Sequence, residues 1–148
     1  MTRLLVRFIG FVIVVPGMAV VLSGCGGRSA PSVAGTVTLD GAPLGEALVS
    51  FMPANKELSA AIASTDLEGQ YTLEQGVEGV VEGTYTVHIT TYRPAITEID
   101  PPIPGIKEKV PAGYNVRSTL NAEVSSGENV LDFPLDSKGQ IVQPQENY

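Results

Sequence analysis

The sequence predicts an all-β fold in which seven short strands form an antiparallel β-sandwich. Three observations lead to this prediction. Apolar and polar residues alternate in several short runs, which is the pattern of half-buried strands. The chain contains 16 glycines and 11 prolines, a content that suits strands joined by close turns. After the first 24 residues, no stretch of ten or more carries apolar residues at helical spacing.

The predicted strands follow one another through residues 33–136, which we expect to form one domain. The first strand contains Val37 and Leu39 and ends at Asp40-Gly41, a pair that favours a hairpin turn. The later strands are predicted at residues 47–51, 59–64, 71–73, 83–91, 120–124 and 131–135.

The strand with the clearest alternation has Tyr85, Val87 and Ile89 on one face and His88 among threonines on the other. We expect Val87 and, from the last strand, Phe133 in the core, with the His88 ring in solvent. His88 is the only histidine in the chain. A zinc site or a hydrolytic triad would need it together with suitable partners. We therefore predict no catalytic residue, metal or cofactor.

The segment TDLEG contains two carboxylates, Asp66 and Glu68. Calcium prefers about six to eight oxygen ligands, more than these two residues supply. An aspartate at this position can instead accept hydrogen bonds from backbone N–H groups two or more residues ahead. The interpretation that we favour is a plain turn closed by Asp66.

The chain begins with a short basic head, Arg3 and Arg7, followed by an uncharged apolar run over residues 8–22. A basic head, an apolar run and small residues are typical of a secretory signal. Fifteen residues make about 22 Å of helix, short of the ~30 Å hydrocarbon core of a bilayer. The alternative is an uncleaved anchor that spans residues 4–24.

The only cysteine follows this run, in the sequence Leu22-Ser23-Gly24-Cys25, which resembles the lipobox of bacterial lipoproteins. The resemblance implies that residues 1–24 are a cleaved signal peptide and that Cys25 carries a lipid anchor with acyl chains such as palmitate. Residues 25–32 would then be a flexible tether. Gly26, where an aspartate would favour inner-membrane retention, implies the outer membrane, facing the periplasm. The alternative is a chance cysteine beside an ordinary cleavage site.

Three further segments resemble the carboxypeptidase regulatory-like domain. They are AGTVTLDGAPLGEALVSFMP, ASTDLEGQYTL and VEGTYTVHIT, with matching motifs at residues 35–47, 65–71 and 83–87. The resemblance covers nearly the whole chain after Cys25. It implies a seven-stranded sandwich of transthyretin-like topology, related to immunoglobulin-like sandwiches, and says almost nothing about function.

The net charge of the chain is −7, and without Arg3 and Arg7 it would be −9. A negative charge of this size disfavours binding to nucleic acid or to an anionic lipid surface. We expect a membrane association through the lipid anchor alone.

Residues 92–118 form a proline-rich stretch without clear alternation, and connections of this length are usually functional or disordered. Its polar and aromatic residues are candidates for a surface that binds an envelope protein or a glycan: Tyr92, Arg93, Tyr114, Asn115 and Arg117. The alternative is that the segment only packs onto the sandwich. Residues 137–148 follow as an expected loose tail.

These observations predict a lipid-anchored cell-envelope β-sandwich with a binding or structural role and no catalysis. A carbohydrate-binding module is the first alternative, although the chain has no tryptophan on which a sugar could stack. A hydrolase of transthyretin-like type is the second and weaker alternative, because such enzymes use several histidines.

Overall fold

The computed structural model describes residues 29–74 and 79–144, and within them the protein is almost entirely β-structure. The described residues form nine strands rather than the seven predicted: β1 Ser32–Leu39, β2 Ala42–Pro43, β3 Leu48–Pro53, β4 Ala61–Ser64, β5 Gln70–Leu73, β6 Gly83–Thr90, β7 Leu120–Val124, β8 Glu128–Val130 and β9 Phe133–Leu135. The helical structure in these residues is a single 3-10 turn at Ala112–Tyr114.

The strands form two sheets. One has four strands in the order β4-β3-β6-β7, and every pairing in it is antiparallel. The other is built around β1, which pairs with β2 and β5 antiparallel and with β8 and β9 parallel. The expectation of a purely antiparallel fold is therefore wrong for β8 and β9.

The first additional strand, β2, results from the turn at Asp40-Gly41. Both residues have positive φ angles, 51° and 80°, as a two-residue hairpin turn of the type favoured by strand twist requires. The turn lets the chain fold back at once, so that Ala42 pairs with Leu39. The sequence predicts this turn correctly, but not the two-residue strand that follows it.

The second additional strand, β8, lies just before the last predicted strand at residues 131–135, and Leu131 and Asp132 separate it from β9. The Asp132 carboxylate accepts a hydrogen bond from the Thr36 N–H at 2.8 Å. The Leu131 carbonyl turns toward β1 and accepts a hydrogen bond from the Tyr71 hydroxyl at 2.7 Å. Gly35 makes room for it, since a Cβ there would lie 1.9 Å from the Leu131 oxygen. The Asp132 side chain thus takes the place of a backbone acceptor for β1. The ladder with β1 is interrupted there, between β8 and β9.

Apolar side chains from both sheets form one core cluster. Val87 is fully buried and Phe133 is 7% exposed, which confirms the prediction that both belong to the core. The ring of Phe51 lies at the centre, with centroids 5.8 to 6.2 Å from those of Tyr71, Tyr85 and Phe133. Rings at these distances contribute to stability beyond their buried area.

The predicted alternation along β6 is confirmed, because Tyr85, Val87 and Ile89 are buried and the residues between them are not. His88 lies on the outward face as expected, but it is half-buried rather than fully in solvent. Its neighbours on that face include residues of the 92–118 crossover.

The TDLEG turn also forms as predicted. The Asp66 carboxylate accepts hydrogen bonds from the N–H groups of Glu68, at 3.0 Å, and Gln70, at 2.8 Å. This local pairing closes the turn before β5.

Residues 1–28 lie outside the described residues, and with them the predicted signal peptide and Cys25. In the described ranges, none of the helical structure is long and apolar enough to cross a bilayer.

Candidate functional site

The 92–118 crossover is more ordered than its sequence suggests. Its first half doubles back on itself, with antiparallel bridges that join Arg93 to Ile106 and Ile96 to Ile103. Each bridge has backbone hydrogen bonds in both directions, at 2.8 to 3.0 Å. The segment therefore leaves the sheet as a hairpin-like loop and returns to the end of β6.

Glu108 fixes the returning chain to β6. The residue is 4% exposed, and its Oε1 accepts hydrogen bonds from the N–H groups of Thr91, Lys109 and Val110 at 2.9 to 3.0 Å. The hydroxyl of Thr91 also donates to Oε1, and that of Thr90 donates to Oε2. Burial raises the pKa of the Glu108 carboxyl, but the hydrogen bonds outweigh it, and the pKa lies below its ordinary value.

Two of the five predicted binding residues serve packing. Asn115 is 5% exposed, and its Nδ2 donates to the Val110 carbonyl at 3.0 Å while its Oδ1 accepts from the Val116 N–H at 2.6 Å. Tyr114 is half-buried and packs against the core cluster. For these two residues the structure agrees with the alternative that the crossover is held onto the sheets.

All five predicted residues line clefts, but they do not share one cleft. Tyr92 and Arg93 line a cleft of about 440 Å³ at the end of the four-stranded sheet. Its further lining includes Glu46, Leu48, Ser64 and Thr90. We call these six residues the Arg93 cleft. Its mouth carries an ion pair, with Arg93 Nη2 3.0 Å from Glu46 Oε1 and both side chains more than half exposed.

Glu46 holds its position in this cleft through the backbone. Its φ angle is 57°, in the left-handed region that is costly for a residue with a Cβ. Thr65 maintains this conformation. Its hydroxyl donates to the Leu44 carbonyl at 2.7 Å and accepts from the Ala47 N–H at 2.9 Å, and its carbonyl accepts from the Glu46 N–H. The strained turn therefore aims the carboxylate at Arg93.

A second cavity of about 310 Å³ lies beside the Arg93 cleft, and Thr90 and Tyr92 line both. Its wall also includes His88 and the buried Glu108. Val142 and Pro144 close it from the C-terminal segment.

The C-terminal segment is not loose over the part that the structure describes. The Gln143 carboxamide pairs with the backbone N–H and carbonyl of Glu108 at 3.0 and 2.9 Å. The Gln140 carbonyl accepts from the Ala112 N–H at 2.8 Å, and its side chain accepts from Arg117 at 3.2 Å. Residues 137–144 are therefore docked rather than loose as expected. The sequence does not reveal this, because the hydrogen bonds that hold the segment leave no apolar alternation in it.

The fifth predicted residue, Arg117, lines a different cleft of about 350 Å³ together with Tyr114. Lys138 and Gln140 of the C-terminal segment complete it. The five predicted residues are thus divided between several places rather than joined in one site. Glu46, Lys138 and Gln140 were missed, because only tertiary contacts bring them to the crossover.

Within residues 29–74 and 79–144, no group of three or more His, Cys, Asp or Glu side chains is placed to hold a metal ion. Comparisons of the chain with protein-family models, with curated proteins and with solved structures found no match.

Proposed function

We propose that the protein is a lipid-anchored binding module of a bacterial cell envelope. The Leu22-Ser23-Gly24-Cys25 sequence supports attachment of a lipid to Cys25. In this proposal the anchor holds the domain at the outer membrane, facing the periplasm. Two or more acyl chains would make the attachment stable, whereas one would bind only reversibly.

The fold in this proposal is a β-sandwich of the carboxypeptidase regulatory-like, transthyretin-like kind. The segments that resemble this family supply the strands on both sides of the shared core, from β1 through β6. The parallel pairings of β8 and β9 with β1 are an addition to the simple antiparallel arrangement. A core that draws on both sheets supports a sandwich.

The observation that carries the binding role is the Arg93 cleft. Its volume of about 440 Å³ falls within the roughly 300–1,000 Å³ of typical ligand sites. The Arg93–Glu46 ion pair engages one guanidinium nitrogen and one carboxylate oxygen, so donors and acceptors remain for a ligand. Strain in the Glu46 backbone is the kind of feature that accumulates at binding sites.

The hydrogen bonds of Glu108, the buried carboxylate near the cleft, agree with a binding role without catalysis. Glu108 accepts hydrogen bonds from backbone N–H groups and two threonine hydroxyls. These bonds hold the carboxylate ionised and fix the crossover in place. Its role is therefore architectural, and it supports the position of Tyr92 at the cleft wall.

The favoured ligand is a neutral polar group, either from an envelope protein or from a glycan. The cleft offers a guanidinium and a carboxylate side by side, with the Ser64 and Thr90 side chains and the Tyr92 ring around them. A guanidinium can donate hydrogen bonds to sugar hydroxyls, and a carboxylate can accept hydrogen bonds from them. This arrangement is why a carbohydrate-binding module remains the second candidate.

The purified full chain, applied to a glycan array and to immobilised envelope membrane proteins, tests the proposal. Binding should be lost in Arg93→Ala and in Glu46→Ala, because each removes half of the ion pair. Lys107→Ala is the matched control, since Lys107 is an exposed basic residue outside the cleft. A bound ligand whose affinity does not change in Arg93→Ala would contradict the assignment of the cleft.

A further inference from the structure

The cleft lined by Arg117 is distinct from the Arg93 cleft and from the cavity beside it, and it is basic in a protein of net negative charge. Its lining includes Tyr114, Arg117, Thr119, Lys138 and Gln140. Two of these residues are basic, and none of the described residues that line it is acidic. The whole chain has nine basic and sixteen acidic residues, so a wall of this composition stands out. We call these five residues the basic cleft.

The basic side of the cleft comes from two segments that hydrogen bonds hold together. The Arg117 guanidinium donates to the Gln140 side chain at 3.2 Å, and the Gln140 carbonyl accepts from Ala112 at 2.8 Å. Gly139 lies so close to Pro111 that an added Cβ would be 3.2 Å from the Pro111 Cβ. The C-terminal segment is thus docked against the 3-10 turn, and the cleft forms between them.

The chain around Lys138 is fixed as well. The N–H of Ser137 donates to the Asp40 carboxylate at 3.0 Å, and the N–H of Lys138 donates to the Asp136 carboxylate at 2.9 Å. Asp40 interacts electrostatically with Lys138 and offsets part of its charge, but it does not line the cleft. The backbone at both basic residues is therefore already held in place. This reduces the conformational entropy that is lost when a ligand binds.

We propose that the basic cleft binds an oxyanion, a phosphate or carboxylate group carried by a ligand that is larger than the ion itself. A guanidinium presents paired donors that match the oxygens of such a group, and an ammonium adds a second positive charge. Thr119 and the Tyr114 ring line the same cleft and can contact the rest of the ligand. The negative charge of the whole chain repels anions elsewhere on its surface, which favours this one position.

Titration of the full chain in neutral detergent micelles, followed by backbone amide NMR, tests the proposal. The probes are inorganic phosphate, acetate and the neutral compound glycerol. We expect saturable shifts with phosphate or acetate at Gly113, Thr119 and residues 138–140, and none with glycerol. Raising the salt concentration should weaken the binding, because it screens exposed charges.

Two variants locate the site. Lys138→Gln removes a charge without removing any of the hydrogen bonds that dock the C-terminal segment, and it should weaken binding about fivefold. Arg117→Gln should weaken it at least as much. Lys56→Gln and Lys107→Gln are controls, because both lysines are exposed and lie outside the cleft.

A phosphate group could belong to a soluble ligand or to a lipid. Glycerol 3-phosphate and a short-chain phosphatidylglycerol distinguish these sources. Equal or tighter binding of glycerol 3-phosphate assigns a soluble ligand, and tighter binding of the lipid assigns a headgroup. The proposal is overturned if no probe gives saturable shifts, or if Lys138→Gln and Lys107→Gln weaken binding equally.

Discussion

The side chain of Gln143 pairs with the backbone of Glu108 at two points. Its Oε1 accepts from the Glu108 N–H at 3.0 Å, and its Nε2 donates to the Glu108 carbonyl at 2.9 Å. A carboxamide has the same donor and acceptor as a peptide group, so the contact resembles one rung of a β-ladder. It joins the C-terminal segment to the residue that anchors the crossover.

Gln143→Ala should therefore lower the free energy of unfolding by about 1–3 kcal/mol, because it removes two hydrogen bonds of about 0.5–1.5 kcal/mol each. Truncation after Leu135 should cost more, since it also removes the contacts of Gln140 and Ser137. Ile141→Ala is the control, because Ile141 lies in the same segment and is 43% exposed. Urea unfolding measures all three. A truncated chain with an unchanged midpoint would show that the segment contributes nothing to stability.

Glu108 should make stability depend on pH. Its pKa is lowered in the folded state, because the hydrogen bonds to its carboxylate outweigh the effect of burial. The unfolded state therefore binds the proton more readily. The stabilisation is complete above the ordinary glutamate value of 4.5 and is lost as the pH falls through the folded-state pKa.

Glu108→Gln removes this dependence and should cost about 1.5–3 kcal/mol at neutral pH, the range for hydrogen bonds to a charged group. Urea midpoints of the two proteins, measured from pH 7 to pH 2, should converge as the solution becomes acidic. Glu98→Gln serves as the control, because Glu98 is an exposed glutamate of the same crossover. A difference between wild type and Glu108→Gln that stays constant down to pH 2 would contradict the prediction.

Gly35→Ala should be severely destabilising. A Cβ at Gly35 would lie 1.9 Å from the Leu131 carbonyl oxygen, which also accepts the Tyr71 hydroxyl. The backbone of β1 or of the β8–β9 connection would have to shift, at a cost of about 3 kcal/mol or more. Gly113→Ala is the matched control, because nothing lies within 4 Å of a Cβ there. Thermal unfolding compares the two, and equal melting temperatures would show that this close approach is absent.

Phe133→Ala should cost about 3–5 kcal/mol, because the ring is buried and a cavity would remain. The ring centroids of Phe51 and Tyr71 each lie 6.1 Å from that of Phe133. His88→Ala should cost less than about 1 kcal/mol, since the ring is only half-buried on the outward face of β6. Urea melts of the two variants give the comparison. Equal losses would mean that His88 contributes to packing as much as a core residue.

The strand positions could be predicted from the sequence because alternation is a local property. Tyr85, Val87 and Ile89 reveal the buried face of β6 without any knowledge of its partners. The pairing of β8 and β9 could not be predicted, because it depends on the interruption at Leu131 and Asp132. There the Asp132 carboxylate, instead of a backbone carbonyl, accepts the hydrogen bond from the Thr36 N–H. A contact of this kind leaves no periodic pattern in the sequence.

The candidate site could be predicted only in part, for a related reason. The crossover was identified from its composition, and Tyr92, Arg93 and Arg117 do line clefts. Their partners Glu46 and Lys138 come from distant segments and look like ordinary surface charges in the sequence. Glu108 was missed because a single carboxylate in a proline-rich stretch gives no sign of its partners. Its side chain accepts hydrogen bonds only from backbone N–H groups and from the hydroxyls of Thr90 and Thr91.

The proposed function depends on Cys25 anchoring the domain to a membrane. Mass spectrometry of the protein purified from bacterial membranes after labelling with a fatty acid tests it most directly. We predict that the N-terminal peptide begins at Cys25 and carries the label, that Cys25→Ser abolishes both cleavage and labelling, and that the control Ser29→Ala changes neither. An unlabelled wild-type chain, or equal labelling of Cys25→Ser, would contradict the claim.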